Sequence, residues 1–307
     1  MLLQDFSYRR ITTAGGSISF AIGGSGPPLL LLHGYPQTHL AWHRVAPMLA
    51  REFTVVAPDL RGYGDSGGRD TTFEPASFSK RAMALDQVEL MQACGFDHFA
   101  VVGHDRGGRV AYRLALDHPK RVNALVSLTV IPTLEVWART SKPFAMGAWH
   151  WFFFAQPFDL PERLIGADPG YFFDWTLRRM AKYFDRLSPE AITAYRSAFL
   201  RPDVRRAIFA DYRAGATVDE GHDREDRQAG RRLACPVFVT WEAGRYSSGD
   251  SPVDIWRSWA DEVDGGPIDA GHLQAEEAPE DLLTAILPFL RLHGKKAPPP
   301  SPVSRIP

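Results

Sequence analysis

The feature that most restricts this chain is a short apolar run, Phe99-Ala100-Val101-Val102, that ends in Gly103-His104-Asp105-Arg106-Gly107-Gly108-Arg109 and passes directly into residues of helical periodicity. A strand that reverses this sharply into a helix needs small residues on either side of the turn, because a Cβ would crowd the crossing backbones. The central residue of such a turn is held in strained geometry, with its side chain projecting beyond the C-terminal end of the strand. Here that residue is a carboxylate, Asp105.

The rest of the chain supplies a matching frame. Apolar runs at residues 17–22, 29–32, 53–57, 99–102, 124–128 and 237–241 read as strands, and residues 80–94, 108–116, 254–262 and 278–292 read as helices. That alternation predicts an α/β fold, a mostly parallel sheet flanked by helices. Strand signal then disappears over residues 132–226, where aromatic, helix-compatible sequence such as Trp149-His150-Trp151-Phe152-Phe153-Phe154 takes over. An inserted helical cap is expected there, with the core assembled from residues 1–131 and 227–294. Residues 295–307 are proline-rich and read as a disordered tail.

Composition narrows the partners. With 307 residues, 45% hydrophobic and 23% charged, the chain can bury a large core. Its 35 basic and 36 acidic side chains give a net charge of -1, so no global field favours nucleic acid or an anionic membrane. The start MLLQDFSYRR has no basic and apolar leader pattern, and no apolar stretch is long enough to span a bilayer, which reads as cytoplasmic. Cys94 and Cys235 lie far apart without C-x-x-C spacing and read as packing residues. None of the ten histidines shows metal-ligand spacing, so neither a metal nor a cofactor is expected.

Two further loops accompany the turn at Asp105. His33-Gly34-Tyr35-Pro36 follows one predicted strand and Asp59-Leu60-Arg61-Gly62-Tyr63-Gly64-Asp65-Ser66 follows the next. Taken with HGYPQTHLAWHRVAP, GHDRGGRVAYRLALDHP, His150-Trp151, Asp211-Tyr212-Arg213-Ala214-Gly215-Ala216 and Gly271-His272, these segments resemble the fluoroacetate (haloacetate) dehalogenases, within the haloalkane dehalogenase and epoxide hydrolase branch of the α/β-hydrolase fold. The resemblance spans nearly the whole chain. It implies conversion of a 2-haloacetate to glycolate and halide without a cofactor, and a homodimer.

The residue types suit that chemistry. A carboxylate at the turn can displace halide from an sp³ carbon and form an ester without prior deprotonation. A histidine must then activate water against that ester, and His272 sits in the loop where this fold places its base. Arg106 and Arg109, one and four residues after Asp105, can both face the pocket and match a carboxylate, and the resemblance makes them the clamp for the substrate anion. Arg113, a turn further on, reads as a surface residue paired with acids. The resemblance assigns the leaving halide to His150, Trp151 and Tyr212, each a hydrogen-bond donor, and the oxyanion to the backbone N–H groups of Tyr35 and Arg106.

One element of the family pattern is missing. The acid that orients the histidine should follow the strand at 124–128, and that position is Thr129. The alternative slot, after the strand at 237–241, reads Glu242-Ala243-Gly244-Arg245, with Arg245 near the usual acid position and Glu242 close but misplaced. Ester hydrolysis is therefore expected to be slow unless Glu242 or another carboxylate reaches His272. Two other readings stay open: an epoxide hydrolase using Tyr183, Tyr195 or Tyr212 to protonate the epoxide oxygen, and a carboxylate-binding protein with impaired turnover.

Overall fold

The four leucines at 29–32 show how the fold is organised. In a computed structural model that describes residues 2–246 and 249–295, Leu30 and Leu32 face one apolar cluster and Leu29 and Leu31 face another. A strand with both faces buried belongs in the middle of a sheet covered on each side. The strands are β1 Ser7–Thr13, β2 Gly16–Gly23, β3 Pro28–Leu32, β4 Thr54–Pro58, β5 Gly67–Gly68, β6 Phe99–His104, β7 Val122–Leu128, β8 Val237–Glu242 and β9 Val263–Ile268. They form one sheet in the order β1-β2-β4-β3-β6-β7-β8-β9, with the short β5 paired to β2. Pairings from β4 through β9 are parallel, and β2 joins β1, β4 and β5 antiparallel.

Helices cover both faces. Met83, Val88 and Met91 from Lys80–Ala93, with Val110 and Leu114 from Arg106–Asp117, pack on the side of Leu30 and Val101. Leu282, Ile286 and Leu290 of Pro279–His293 pack with Leu29 and Val102 on the other side. Between β7 and β8 the chain runs through successive helices, from Thr133–Ala138 to Val218–Gln228, and two of them, Trp149–Phe154 and Pro202–Gly215, carry His150, Trp151, Asp211 and Tyr212. The cap expected from the loss of strand signal falls on these helices.

Three strands and one helix boundary differ from expectation. β1 is an edge strand with mostly exposed side chains and two arginines, so it lacks the apolar pattern that marks a half-buried strand. β5 has two residues, and β9 contains Gly265-Gly266 at the opposite edge. The helix expected at 254–262 is Pro252–Arg257, because the Trp259 carbonyl accepts the Leu233 N–H and Ala260 bridges to Leu233, drawing the chain out of helical geometry. Residues 296–307 of the expected tail lie outside the described residues. No described helix is long and apolar enough to cross a membrane, and no described group of three or more His, Cys, Asp or Glu is arranged to hold a metal.

Candidate active site

The turn after β6 has the predicted geometry. Asp105 adopts φ 47 and ψ -115, a backbone conformation that costs on the order of 1–3 kcal/mol for a residue with a side chain. Gly107 makes the turn possible, since a Cβ there would lie 2.3 Å from the Leu32 carbonyl oxygen. The carboxylate so presented is buried, and its Oδ1 accepts the Tyr35 N–H at 3.0 Å. Arg106 is the first residue of the following helix, so its N–H has no partner within that helix. Burial alone would raise the Asp105 pKa, but the hydrogen bond and charge of His272, with a smaller contribution from Arg106, hold it well below the usual carboxylate range.

His272 stands between two carboxylates. Its Nε2 is 3.4 Å from Asp105 Oδ2, and its Nδ1 lies 3.0 Å from Glu242 Oε1. The geometry corrects the expectation that Glu242 is misplaced: β8 extends through Glu242, one residue beyond the predicted end, and the added length of a glutamate side chain reaches the ring. Burial would lower the His272 pKa, yet the hydrogen bonds it donates to Asp105 and Glu242 outweigh it and raise the value to about 9. Glu242 is lowered to about 2, against the effect of burial, by His272 and by Arg245, whose Nη1 lies 2.7 Å from Oε1 and 2.5 Å from Oε2. Thr129 stands at a φ of 61, with its buried hydroxyl lacking a partner among the described residues. The preceding His104 is neutral, with a pKa near 3 from burial and the His272 charge, and its Nε2 lies 2.7 Å from the His272 carbonyl oxygen.

The two arginines prove unequal. Arg106 is fully buried, and its Nε and Nη2 donate to Asp211 at 2.8 Å, leaving Nη1 without a partner among the described residues. Asp211 also meets the Lys80 ammonium and accepts from the Tyr63 hydroxyl at 2.8 Å, so this charge is internally balanced. Arg109 has no such partner. Its Nη1 donates to the Thr133 hydroxyl at 2.9 Å and more weakly to the Ile131 carbonyl, its Nε is unpartnered, and it forms no ion pair among the described residues. Burial and the nearby Arg106 charge push its pKa down. Arg113 is not the surface residue expected: it is buried between Asp223 and Asp226 of Val218–Gln228 and also reaches Asp117, because the helix bearing it is covered on that side.

The cap aromatics close over these groups. The Trp151 ring lies 4.5 Å from the Arg109 guanidinium carbon and 5.6 Å from that of Arg106, and the Tyr212 ring lies 4.1 Å from the latter. His150 stacks on Tyr35 at 5.7 Å and meets Tyr212 edge-on at the same distance. Burial lowers the His150 pKa to about 4, so the ring is neutral and keeps an N–H to donate. The buried Tyr212 hydroxyl has no hydrogen-bond partner among the described residues. Tyr183, by contrast, donates to Asp269 at 3.0 Å on an exposed face. The contributions of Asp211, Lys80 and His104 were not anticipated. Asp211 and His104 carried a signal, as neighbours of Tyr212 and Asp105 in segments already singled out, whereas Lys80 carried none.

A sheet of this topology, an acid-bearing turn and a histidine held between two carboxylates define a hydrolase of the α/β type. The family description for the α/β hydrolase fold matches residues 27–279, and the chain belongs to that family. Over 94% of its length it is 40% identical to a fluoroacetate dehalogenase from Burkholderia sp., covering 95% of that protein. It is 33% identical, over 93% of its length and 97% of the relative's, to a soluble epoxide hydrolase from Corynebacterium sp. (strain C12). Among solved structures, a protein of Pseudomonas aeruginosa provisionally called an epoxide hydrolase superposes with a TM-score of 0.92 at 55% identity, covering 95% of this chain and 98% of that one.

Proposed function

We propose that this hydrolase is a haloacetate dehalogenase, cleaving the carbon–halogen bond of fluoroacetate or chloroacetate to give glycolate and halide. The observation that carries the reading is Arg109, a buried guanidinium without a carboxylate partner among the described residues, one helical turn from a buried nucleophilic carboxylate. An anionic substrate supplies the missing counter-charge, and an uncharged epoxide does not. The 40% identity to a fluoroacetate dehalogenase over nearly the full chain supports the same substrate class.

In this reading the substrate carboxylate docks on Arg109 and on the free Nη1 of Arg106. Asp105 Oδ2 attacks the halogen-bearing carbon, since Oδ1 is already engaged by the Tyr35 N–H and becomes the carbonyl oxygen of the ester. Halide departs toward His150, Trp151 and Tyr212, where neutral donors meet the charge as it develops. Esterification removes the Asp105 charge, and with it one of the interactions that raise the His272 pKa, so the imidazolium gives up its proton to solvent and the neutral imidazole can take one from water. Water adds to the ester carbonyl, and the oxyanion is held by the N–H groups of Tyr35 and Arg106. Collapse releases glycolate, which takes its proton from His272, and the proton of the re-formed Asp105 carboxyl passes to His272, restoring the carboxylate and the protonated base.

The test is halide release from fluoroacetate and chloroacetate, with a neutral epoxide run in parallel. Multiple turnovers on the haloacetates are expected. Consumption of the epoxide alone would transfer the site to the chemistry of the Corynebacterium relative, with Tyr212 as the acid. Arg109→Leu is expected to raise KM for chloroacetate on the order of a hundredfold, the cost of leaving a buried anion unpaired. Thermal unfolding should be close to that of the parent, because Arg109 neutralises no internal carboxylate; unchanged KM would sink the assignment of Arg109 as the anion site.

A further inference from the structure

A second buried carboxylate near the base has no part in the steps above. Glu277 is 1% exposed and forms no ion pair among the described residues. Its oxygens are instead filled by four backbone donors. Oε2 accepts the Gly271 N–H at 3.1 Å, the Lys182 N–H at 2.7 Å and the Tyr183 N–H at 2.8 Å, and Oε1 accepts the Leu273 N–H at 3.0 Å. Gly271 and Leu273 flank His272, whereas Lys182 and Tyr183 follow the helix Pro169–Met180 in the segment between β7 and β8. A buried carboxylate without a cation is tolerated when several N–H groups converge on it, and both chain segments must be in place for that to occur here.

Two further contacts join the same segments. The N–H of His272 itself donates to the Met180 carbonyl at 2.9 Å. Gly271 approaches so closely that a Cβ there would lie 2.4 Å from the Lys182 nitrogen, which leaves room for no other residue. The backbone on both sides of the base is thus hung from one carboxylate and from the cap-side strand of chain that shares it.

We propose that Glu277 is a positioning residue that couples the segment at 180–183 to the loop carrying His272, so that the base is aligned for ester hydrolysis only while that segment is seated. The inference rests on the reading of His272 as the base. Alkylation depends on Asp105, whose position is set by the β6 turn and the Tyr35 N–H, so loosening Glu277 acts chiefly on the second half-reaction.

Glu277→Gln replaces two acceptor oxygens by one and turns a donor toward backbone N–H groups. In steady state with chloroacetate, kcat/KM reports alkylation and kcat reports hydrolysis once the ester accumulates. The variant is expected to lower kcat on the order of tenfold with kcat/KM within about twofold of the parent, and ester should be visible by intact-protein mass. A second variant, Lys182→Pro, deletes one of the N–H donors to Glu277, together with the exposed ion pair of the Lys182 ammonium with Asp269, while leaving Glu277 in place. Ala181 before it has φ -88 and ψ 132, the extended backbone a following proline requires. It should shift kcat in the same direction by a smaller factor. Parental kcat in a folded Glu277→Gln protein overturns the proposal, as does an equal fall in kcat and kcat/KM, which would mark Glu277 as a brace for the fold. Should Glu277→Gln not fold, unchanged kcat in Lys182→Pro overturns it and a selective fall in kcat supports it. Full turnover by His272→Asn would instead remove the base assignment on which the proposal rests.

Discussion

His272→Asn protein incubated with chloroacetate is expected to release a single equivalent of chloride and to retain the glycolyl ester on Asp105, visible as a stable mass increase confined to the peptide containing that residue. Steady-state turnover should fall by about four orders of magnitude or more, because asparagine can neither accept a proton from water nor return one to the leaving alkoxide. Asp105 remains competent, since its approach to the substrate depends on the β6 turn and the Tyr35 N–H. Full turnover by the variant would remove His272 from the mechanism. Absence of both halide and ester would move the failure to the first step.

The same variant tests the electrostatics. In the free protein the His272 pKa is raised from 6.5 to about 9, burial being outweighed by Asp105 and Glu242. A group whose folded pKa lies above its unfolded value adds stability that is fully present below the unfolded value and is lost as pH rises through the folded one. The parent should therefore lose thermal stability between about pH 7 and pH 9. His272→Asn should lack that component.

Glu242→Gln carries the second large effect. Glu242 accepts from His272 Nδ1 and so selects the tautomer whose Nε2 faces the ester. A glutamine at that position can turn a donor toward Nδ1 and cannot balance the imidazolium. Hydrolysis is expected to slow by about three to four orders of magnitude, with ester accumulating as in the histidine variant. Thr129→Asp alone should leave turnover near the parent value, because Nδ1 is already occupied. Position 129 accepts the change locally: the Thr129 hydroxyl has no hydrogen bond to lose, and aspartate tolerates a φ of 61 better than a β-branched residue. Combined with Glu242→Gln, it should recover part of the lost rate. Parental turnover in Glu242→Gln would show that another group orients the base. The contact between Glu242 and His272 also removes the main support for a carboxylate-binding protein with impaired turnover.

How much of this was legible in the residues differs from one feature to the next. The strands β2, β3, β4, β6, β7 and β8 were readable because each buries apolar side chains on at least one face, whereas β1 and β9 lie at the sheet edges, where solvent imposes no apolar pattern. Asp105 and His272 stood out because their local surroundings, a glycine-flanked turn and a glycine–histidine loop, are constrained by chain neighbours alone.

The pairing of charges could not be read in the same way. Asp211 lies 105 residues from Arg106, Glu242 lies 30 from His272, and the Asp223 and Asp226 that bury Arg113 lie 110 and 113 residues away from it. Sequence determined the α/β frame, the carboxylate at its turn and the presence of two arginines beside it. Tertiary structure alone decided that Arg106 is already neutralised, that Arg109 is not, and that Glu242 replaces an acid absent at Thr129. The physical reason is range: backbone turns and apolar periodicity are set by near neighbours in the chain, but the state of a buried charge depends on whichever group the completed fold brings within hydrogen-bond distance.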